Sequence, residues 1–187
     1  MRQHIKFLTN ILQLIVNPAK GWEDISHDHD DHVMLSRVGF YPLLGIGTLS
    51  CFMNMLKIGQ NVAFMQAFES AIIMLTVYFA TLFIAGAAFG YYMPKISYKE
   101  PSTLRNTTFI VYTLSIMLLI EIIINIIPIN FPVLYFLPIY LGVIMYKGTA
   151  YAGINPDKEG HFMFLSVFSI IAPPYLLGLL FKTILQG

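Results

Sequence analysis

The residues from Ser70 to Pro94 form a run of about 25 positions without one charged side chain. A hydrocarbon core about 30 Å thick needs about 20 helical residues at a rise of about 1.5 Å each. The run is therefore long enough to cross a bilayer as a single helix. It is also too long, and too far from the N-terminus, to be the apolar part of a signal peptide. We expect the other helices of the chain to pack around it.

The composition supports a membrane protein. Of the 187 residues, 57% are hydrophobic and 11% are charged, against about 25% charged residues in soluble domains. A net charge of +1 argues against a nucleic-acid partner, which needs a basic face. The single cysteine, Cys51, excludes an intrachain disulfide framework and a zinc cage made of cysteines. We therefore expect an all-α integral membrane protein with the lipid bilayer as its surroundings and with no cofactor.

The apolar runs predict five transmembrane helices, at about 33–55, 67–92, 107–127, 131–150 and 162–185. Pro173 and Pro174 interrupt the hydrogen-bond ladder of the last one, which is tolerated where neighbouring helices cover the break. The sequence thus divides into residues 1–32, with an amphipathic helix and a polar segment, and a transmembrane domain over 33–187.

The distribution of lysine and arginine predicts the orientation. With five spans, nine of the eleven basic residues fall on the side of the N-terminus: Arg2, Lys6, Lys20, Arg37, Lys95, Lys99, Arg105, Lys147 and Lys158. Only Lys57 and Lys182 fall on the other side. By the positive-inside rule, the N-terminus is cytoplasmic and the C-terminus lies outside.

The first 16 residues predict an amphipathic helix. Its apolar residues recur at helical spacing and are Ile5, Leu8, Ile11, Leu12 and Ile15. Asn10 and Gln13 interrupt the apolar region that a signal peptide would need. The pattern favours a helix lying in the membrane interface. The alternative is a helix packed on the loops of the membrane domain.

The next segment runs Asn17-Pro18-Ala19-Lys20-Gly21-Trp22-Glu23-Asp24-Ile25. Pro18 either ends the first helix or opens a second one at its first position. Trp22 is the only tryptophan, and its amphipathic ring suits the headgroup level of a membrane.

Followed by several apolar spans, this segment resembles the bacterial branch of the Yip (Ypt-interacting protein) family of small multispanning membrane proteins. The matching residues are Asn17, Pro18, Trp22, Glu23 and Ile25. The resemblance implies a protein-interaction or membrane-organising role in the bacterial inner membrane, with a protein partner whose identity is unknown. The expected contact surface consists of Pro18, Gly21, Trp22 and Glu23, together with the preceding helix.

A polar hexapeptide precedes the first predicted span. It comprises His27, Asp28, His29, Asp30, Asp31 and His32. Imidazole and carboxylate are ligands of Zn²⁺, Mn²⁺ and Ni²⁺, and Asp157, Glu159 and His161 could complete such a site. Contiguous residues rarely converge on one ion, so we favour a solvated linker and assign no metal site. Metal binding by the hexapeptide remains the alternative.

No enzymatic activity is expected. All histidines and aspartates lie outside the predicted spans, and the chain has no Gly-x-Ser-x-Gly, His-Glu-x-x-His or Gly-rich phosphate motif. A catalytic site within the membrane would need its acid, base or nucleophile at depth. The sequence therefore contains no candidate catalytic residue.

One acidic residue does lie within a span. Glu121 is about 21 Å from the start of its helix, which places it inside the outer half of a core about 30 Å thick. A carboxylate facing lipid is costly and should turn toward polar partners. We predict an intramembrane polar cluster of Glu121 and Asn125 with at least one of Asn54, Lys57 and Lys182. It is either a structural ion pair or the binding site of a small transporter or channel, which is the alternative function.

Gly86 and Gly90 form a Gly-x-x-x-Gly pair. Such a pair lets two helix backbones approach closely in a membrane. We expect it to pack against another helix of the same chain, with a homodimer through Gly86 and Gly90 as the alternative.

Overall fold

The computed structural model describes residues 2–27, 35–56, 62–127 and 136–186. These residues are almost entirely helical. The helices, in chain order, are α1 (Arg2–Val16), α2 (Pro18–His27), α3 (Ser36–Leu56), α4 (Phe64–Ile96), α5 (Thr103–Ile126), α6 (Leu137–Lys147), α7 (Thr149–Ala152) and α8 (Pro156–Ile184). Between the helices, Ser97 and Ile154 form an isolated antiparallel bridge.

Four of the described helices, α3, α4, α5 and α8, are long and apolar enough to cross a membrane. They correspond to the predicted spans at 33–55, 67–92, 107–127 and 162–185. The predicted span at 131–150 coincides with α6, which has 11 residues, fewer than the about 20 that a bilayer crossing needs. Residues 128–135 lie outside the described part. The chain is thus a multi-pass membrane protein with four candidate spans.

The centre of the bundle is α5 and not α4, contrary to the expectation from the uncharged run. Fourteen residues of α5 are buried, distributed around the whole helix. By contrast, α4 leaves large side chains such as Phe79 and Phe83 exposed. A helix that is apolar on all sides can lie in the interior of a bundle. The length of an uncharged run shows that a helix spans the membrane, but not which helix its neighbours enclose.

Prolines adjust two of the long helices without ending them. In α8 a π-helical segment, Val167–Ile171, comes directly before Pro173 and Pro174. In α3 the π-helical segment Ser36–Phe40 comes before Pro42. Proline has no amide hydrogen, and its ring collides with the carbonyl four residues earlier. The wider π turn relieves that conflict and lets each helix continue.

The two N-terminal helices pack against each other and against one side of the bundle. We call α1 and α2 together the N-terminal hairpin. Its first helix buries Phe7, Ile11 and Leu14 against the helices of the bundle, and not only against loops. A second set of apolar side chains on α1 stays exposed: Ile5, Leu8, Leu12 and Val16. The helix therefore has one apolar face toward the protein and another directed outward, and its interfacial position stays a prediction.

Candidate functional site

The Asn17–Ile25 segment forms the turn and the first residues of α2. The Asn17 side chain accepts a hydrogen bond from the Lys20 amide at 3.2 Å, which caps the helix, and Pro18 is its first residue. Gly21 lies against α1, because a Cβ added there would be 2.9 Å from the backbone N and Cα of Leu14. These residues fix the close approach of the two helices of the hairpin.

Trp22 anchors the hairpin to the bundle. Its indole is only 2% exposed and its Nε1 donates a hydrogen bond to the carbonyl oxygen of Ile144 at 2.9 Å. The ring stacks on Phe109 and on Tyr151, with centroid distances of 5.0 Å in both cases. Trp22 is therefore an internal packing residue here, in contrast to the predicted headgroup position. A large aromatic ring gains most by full burial when its N–H also finds an acceptor.

The predicted contact surface divides between interior and exterior. Gly21 and Trp22 are buried, Pro18 is half-buried and Glu23 is exposed. Asp24 is exposed beside it. The surface that α2 leaves accessible at this point carries these two acids and, one turn earlier, Lys20, so it is net acidic and not aromatic.

Polar contacts also attach α1 to the long helices. The carbonyl oxygen of Val38 lies 2.7 Å from Nδ1 of His4 and, since a carbonyl can only accept, this nitrogen is the donor. Asn10 donates to the Tyr112 hydroxyl at 2.9 Å. The hydroxyl of Tyr140 donates to the carbonyl of Ile15 at 2.7 Å. The first helix is thus fixed along most of its length.

Near the other end of the bundle lies a polar cavity of about 360 Å³, which we call the Glu121 cavity. Each of the four long helices contributes to its lining. The polar lining residues are Cys51 and Asn54 from α3, Ser70 and Tyr78 from α4, Glu121 and Asn125 from α5, and Tyr175 and Lys182 from α8.

Two asparagines of this cavity belong to a hydrogen-bonded chain. Asn54 donates to Oδ1 of Asn125 at 3.1 Å, and Nδ2 of Asn125 donates to the Ser50 hydroxyl at 2.9 Å. Ser50 in turn donates to the carbonyl of Gly47 at 2.6 Å. These groups are satisfied by one another, so they connect α3 to α5.

The remaining groups of the cavity are less well paired. The Tyr78 side chain is only 3% exposed, and its buried hydroxyl has no hydrogen-bond partner among the described residues. Glu121 and Lys182 line the same cavity. Lys57 lies outside the described residues. The structure thus brings Asn54, Glu121, Asn125 and Lys182 to one place, and their role as a binding site stays a prediction.

The structure describes only part of the candidate metal-binding hexapeptide. His27 is exposed at the end of α2, and Asp28, His29, Asp30, Asp31 and His32 lie outside the described residues. In the described ranges no three histidine, cysteine, aspartate or glutamate side chains converge on one point. Metal binding by the hexapeptide stays a prediction.

The prediction that Gly86 and Gly90 pack against another helix of the same chain is wrong for the described residues. Both glycines are exposed, and a Cβ added to either would meet no atom within 4 Å. Gly47, by contrast, is approached by a neighbouring helix, because a Cβ there would lie 2.8 Å from Cδ1 of Leu118. Homodimerisation through Gly86 and Gly90 stays a prediction.

Several important residues could not be found from the sequence. Phe109, Ile144 and Tyr151 hold Trp22, while Tyr78 and Tyr175 line the Glu121 cavity. The one available signal is the presence of tyrosines in otherwise aliphatic spans. That signal does not identify which residue each tyrosine faces.

The fold defines an all-helical, multi-pass membrane protein with an N-terminal helical hairpin fixed on the bundle. Comparison with protein families agrees with this class: the model described as the Yip1 domain matches residues 12–180. The chain belongs to the Yip family. No curated protein and no solved structure matches it.

Proposed function

We propose that this Yip-family chain is a non-catalytic protein of the bacterial inner membrane with a protein-interaction or membrane-organising role, exerted through the N-terminal hairpin. The observation that carries the proposal is the burial of Trp22 with its hydrogen bond to Ile144. It fixes α2 in one orientation, in which Glu23 and Asp24 are exposed. A rigid acidic surface can recognise a basic partner without first losing conformational entropy.

The exposed apolar side of α1 supports the organising part of the role. Ile5, Leu8, Leu12 and Val16 are between 46% and 80% exposed, which is costly in water. Buried in one leaflet, they would displace lipid at that leaflet only, as interfacial helices do. The hairpin would then contact lipid with α1 and a protein partner with α2.

The proposed topology has five spans, with the N-terminus in the cytoplasm. In this topology, α6 is part of the fourth span, predicted at 131–150. The unequal distribution of basic residues supports the orientation. The exposed acidic surface of α2 then lies on the cytoplasmic side, where soluble partners are present.

The interaction is tested by charge reversal on α2. Partners are recovered by chemical cross-linking in intact cells that express the wild-type chain, the Glu23→Lys/Asp24→Lys double variant, or Asp157→Lys. Asp157 is an exposed acid on another element and serves as the matched control. We expect the double variant to lose the partner and Asp157→Lys to keep it. Retention of the same partner by the double variant would contradict the proposal.

A second candidate function is a small transporter or channel that uses the Glu121 cavity. The specific observation in its favour is the buried Tyr78 hydroxyl, which has no hydrogen-bond partner among the described residues and shares a cavity with Glu121 where four helices meet. An ionisable residue within the membrane is by default a candidate for function. A buried hydroxyl without a partner costs about 1–3 kcal/mol, which a bound solute or water would offset.

Flux of ions or solutes through the purified protein in proteoliposomes tests this candidate. Glu121→Gln is compared with Glu69→Gln, a carboxylate on α4 that does not line the cavity. Normal folding with loss of flux in Glu121→Gln alone would favour transport. Lower thermal stability with no loss of function would assign Glu121 to helix packing instead.

A further inference from the structure

A second polar cavity, of about 270 Å³, lies at the opposite end of the bundle, where α4 ends and α5 begins. We call it the Arg105 cavity. Its cationic lining residues are Lys99 and Arg105, and no carboxylate of the described residues lines it. The hydroxyl groups around it belong to Ser26, Ser102, Thr108, Tyr112 and Tyr151. In the described part of the chain the cavity thus combines two cations with hydroxyl groups and has no acidic lining residue.

Arg105 is incompletely paired. One terminal nitrogen, Nη2, donates to the carbonyl oxygen of Glu100 at 2.7 Å. Its Nε is buried and has no hydrogen-bond partner among the described residues. An unpaired buried donor on a charged group is costly. A guanidinium presents its donors in a planar fork that suits phosphate oxygens.

Lys99 is held in place by a glycine. Gly153 has a φ of +69°, and a Cβ added there would overlap Cγ and Cδ of Lys99. The aliphatic part of the lysine therefore crosses the glycine backbone, and its Nζ lies 3.5 Å from the carbonyl oxygen of Tyr151. This arrangement fixes the ammonium group at the cavity before any ligand arrives.

The backbone adds a further positive contribution. Ser102 caps α5 by accepting a hydrogen bond from the Arg105 amide at 3.2 Å, so the cavity adjoins the N-terminus of a 24-residue helix. Helix N-termini attract anions through their free amides and their dipole. The Tyr151 phenol is protonated at neutral pH, since its ordinary pKa is about 10 and burial raises this pKa further; its side chain is hydrogen-bonded to Thr108.

We propose that the Arg105 cavity binds a phosphate-bearing anion, held by the Arg105 guanidinium, the Lys99 ammonium and the surrounding hydroxyl groups. Ile25, Leu35 and Leu104 line the same cavity and could contact an acyl chain. The phosphate could therefore belong to a lipid headgroup or to a small soluble phosphate. This site is separate from the Glu121 cavity but lies next to the acidic surface of the hairpin, since Glu23 and Lys99 line one neighbouring cavity. It needs no partner on that surface, so it does not depend on the function proposed above.

The protein contains its own reporter for this site. Tyr151 lines the cavity and stacks on Trp22 at a centroid distance of 5.0 Å. Trp22 is the only tryptophan of the chain. A ligand that contacts Tyr151 should change the fluorescence of Trp22, without any added label.

The experiment uses the full chain in two settings. In nanodiscs, phosphatidylcholine with and without phosphatidylglycerol tests the lipid headgroup; in detergent, inorganic phosphate tests the soluble anion. Trp22 fluorescence and native mass spectrometry measure binding to the wild type, Arg105→Gln, Lys99→Gln and the control Lys158→Gln. Lys158 is a cation of the first turn of α8 that does not line the cavity. We expect about tenfold weaker binding for the first two variants and a change below about twofold for the control.

A response to phosphatidylglycerol alone supports the lipid as the source of the phosphate, and a response to inorganic phosphate alone supports the soluble anion. No response in either setting would overturn the proposal, as would an equal loss of binding in Lys158→Gln. If Arg105→Gln fails to fold, Arg105→Lys, which keeps the charge but not the planar fork, takes its place. Binding by Arg105→Lys as strong as that of the wild type, with Lys99→Gln also unchanged, would contradict the assignment.

Discussion

Gly148 lies directly against Trp22: a Cβ added to this glycine would be 3.0 Å from both Cε2 and Nε1 of the indole and 2.6 Å from Cε2 of Phe109. The backbone conformation there, with φ of −79°, is open to any residue. Glycine is therefore needed at position 148 because a larger side chain would collide with its neighbours, and not because of its backbone conformation. The tryptophan of the hairpin and a glycine far away in the sequence form one packed contact.

We predict that Gly148→Ala lowers the free energy of unfolding by about 1–3 kcal/mol, because overpacking a filled site displaces its neighbours. Gly142→Ala is the matched control, since a Cβ there meets no atom within 4 Å and alanine favours a helix by up to about 1 kcal/mol. Thermal unfolding in detergent, followed by Trp22 fluorescence, measures both. Equal stability of the two variants would argue against the packing of Trp22 on Gly148.

A second prediction separates the two apolar faces of α1. Ile11 is fully buried, whereas Leu8 is 46% exposed. Ile11→Ala should cost about 2–5 kcal/mol of stability in detergent, and Leu8→Ala much less. Leu8→Asp should leave the hairpin packed on the bundle but weaken its contact with lipid, as measured by spin-label depth in the bilayer. Equal destabilisation by Ile11→Ala and Leu8→Ala would show that α1 is not oriented in this way.

A third prediction concerns the hydrogen bond between His4 and Val38. The Val38 carbonyl lies four residues before Pro42, which has no amide hydrogen to offer it, and His4 occupies that carbonyl at 2.7 Å. His4→Leu should cost about 0.5–1.5 kcal/mol. The cost should shrink in a Pro42→Ala background, where the helix can supply its own donor. A double-mutant cycle of unfolding free energies measures this coupling, and a coupling of zero would contradict the account.

A fourth prediction concerns the Tyr78 hydroxyl. With no partner among the described residues, this group destabilises the ligand-free protein, so Tyr78→Phe should raise the unfolding free energy by up to about 3 kcal/mol. Tyr140→Phe is the control, because its hydroxyl donates to Ile15 and its loss should be destabilising. Thermal unfolding measures the stability of both variants. Destabilisation by Tyr78→Phe would show that the hydroxyl has a partner.

Membrane insertion could be predicted from the sequence because it depends on local properties. The uncharged run from Ser70 to Pro94 lies within α4, and the apolar run from Thr107 to Ile127 lies in α5 except for its last residue, since length and hydropathy alone decide whether a helix can span a bilayer. The sequence left open whether Pro18 ends the first helix or begins a second one, because proline is compatible with both positions. In the structure a second helix begins at Pro18 and is capped by Asn17.

The position of Trp22 could not be predicted, because its partners are distant in the sequence. Ile144, its hydrogen-bond acceptor, is 122 residues away, and no local pattern links the two. The same holds for the Glu121 cavity, whose lining comes from four helices. Residue type and depth indicated that Glu121, Asn125 and Asn54 need polar surroundings, whereas the hydrogen bond between the two asparagines depends on how α3 packs on α5.

We infer that Trp22 holds the hairpin in the orientation that exposes Glu23 and Asp24 to a protein partner. A photo-cross-linking amino acid at position 19, an exposed alanine of α2, tests this inference while leaving both carboxylates in place. The cross-link is measured in native membranes, with Trp22 intact or changed to alanine and with Glu121→Gln as the control background. We expect a discrete cross-linked partner, and its yield should be retained with Glu121→Gln. With Trp22→Ala the yield should fall about tenfold or more, a loss equivalent to at least about 1.4 kcal/mol. An undiminished cross-link in Trp22→Ala, with the chain correctly inserted, would contradict it.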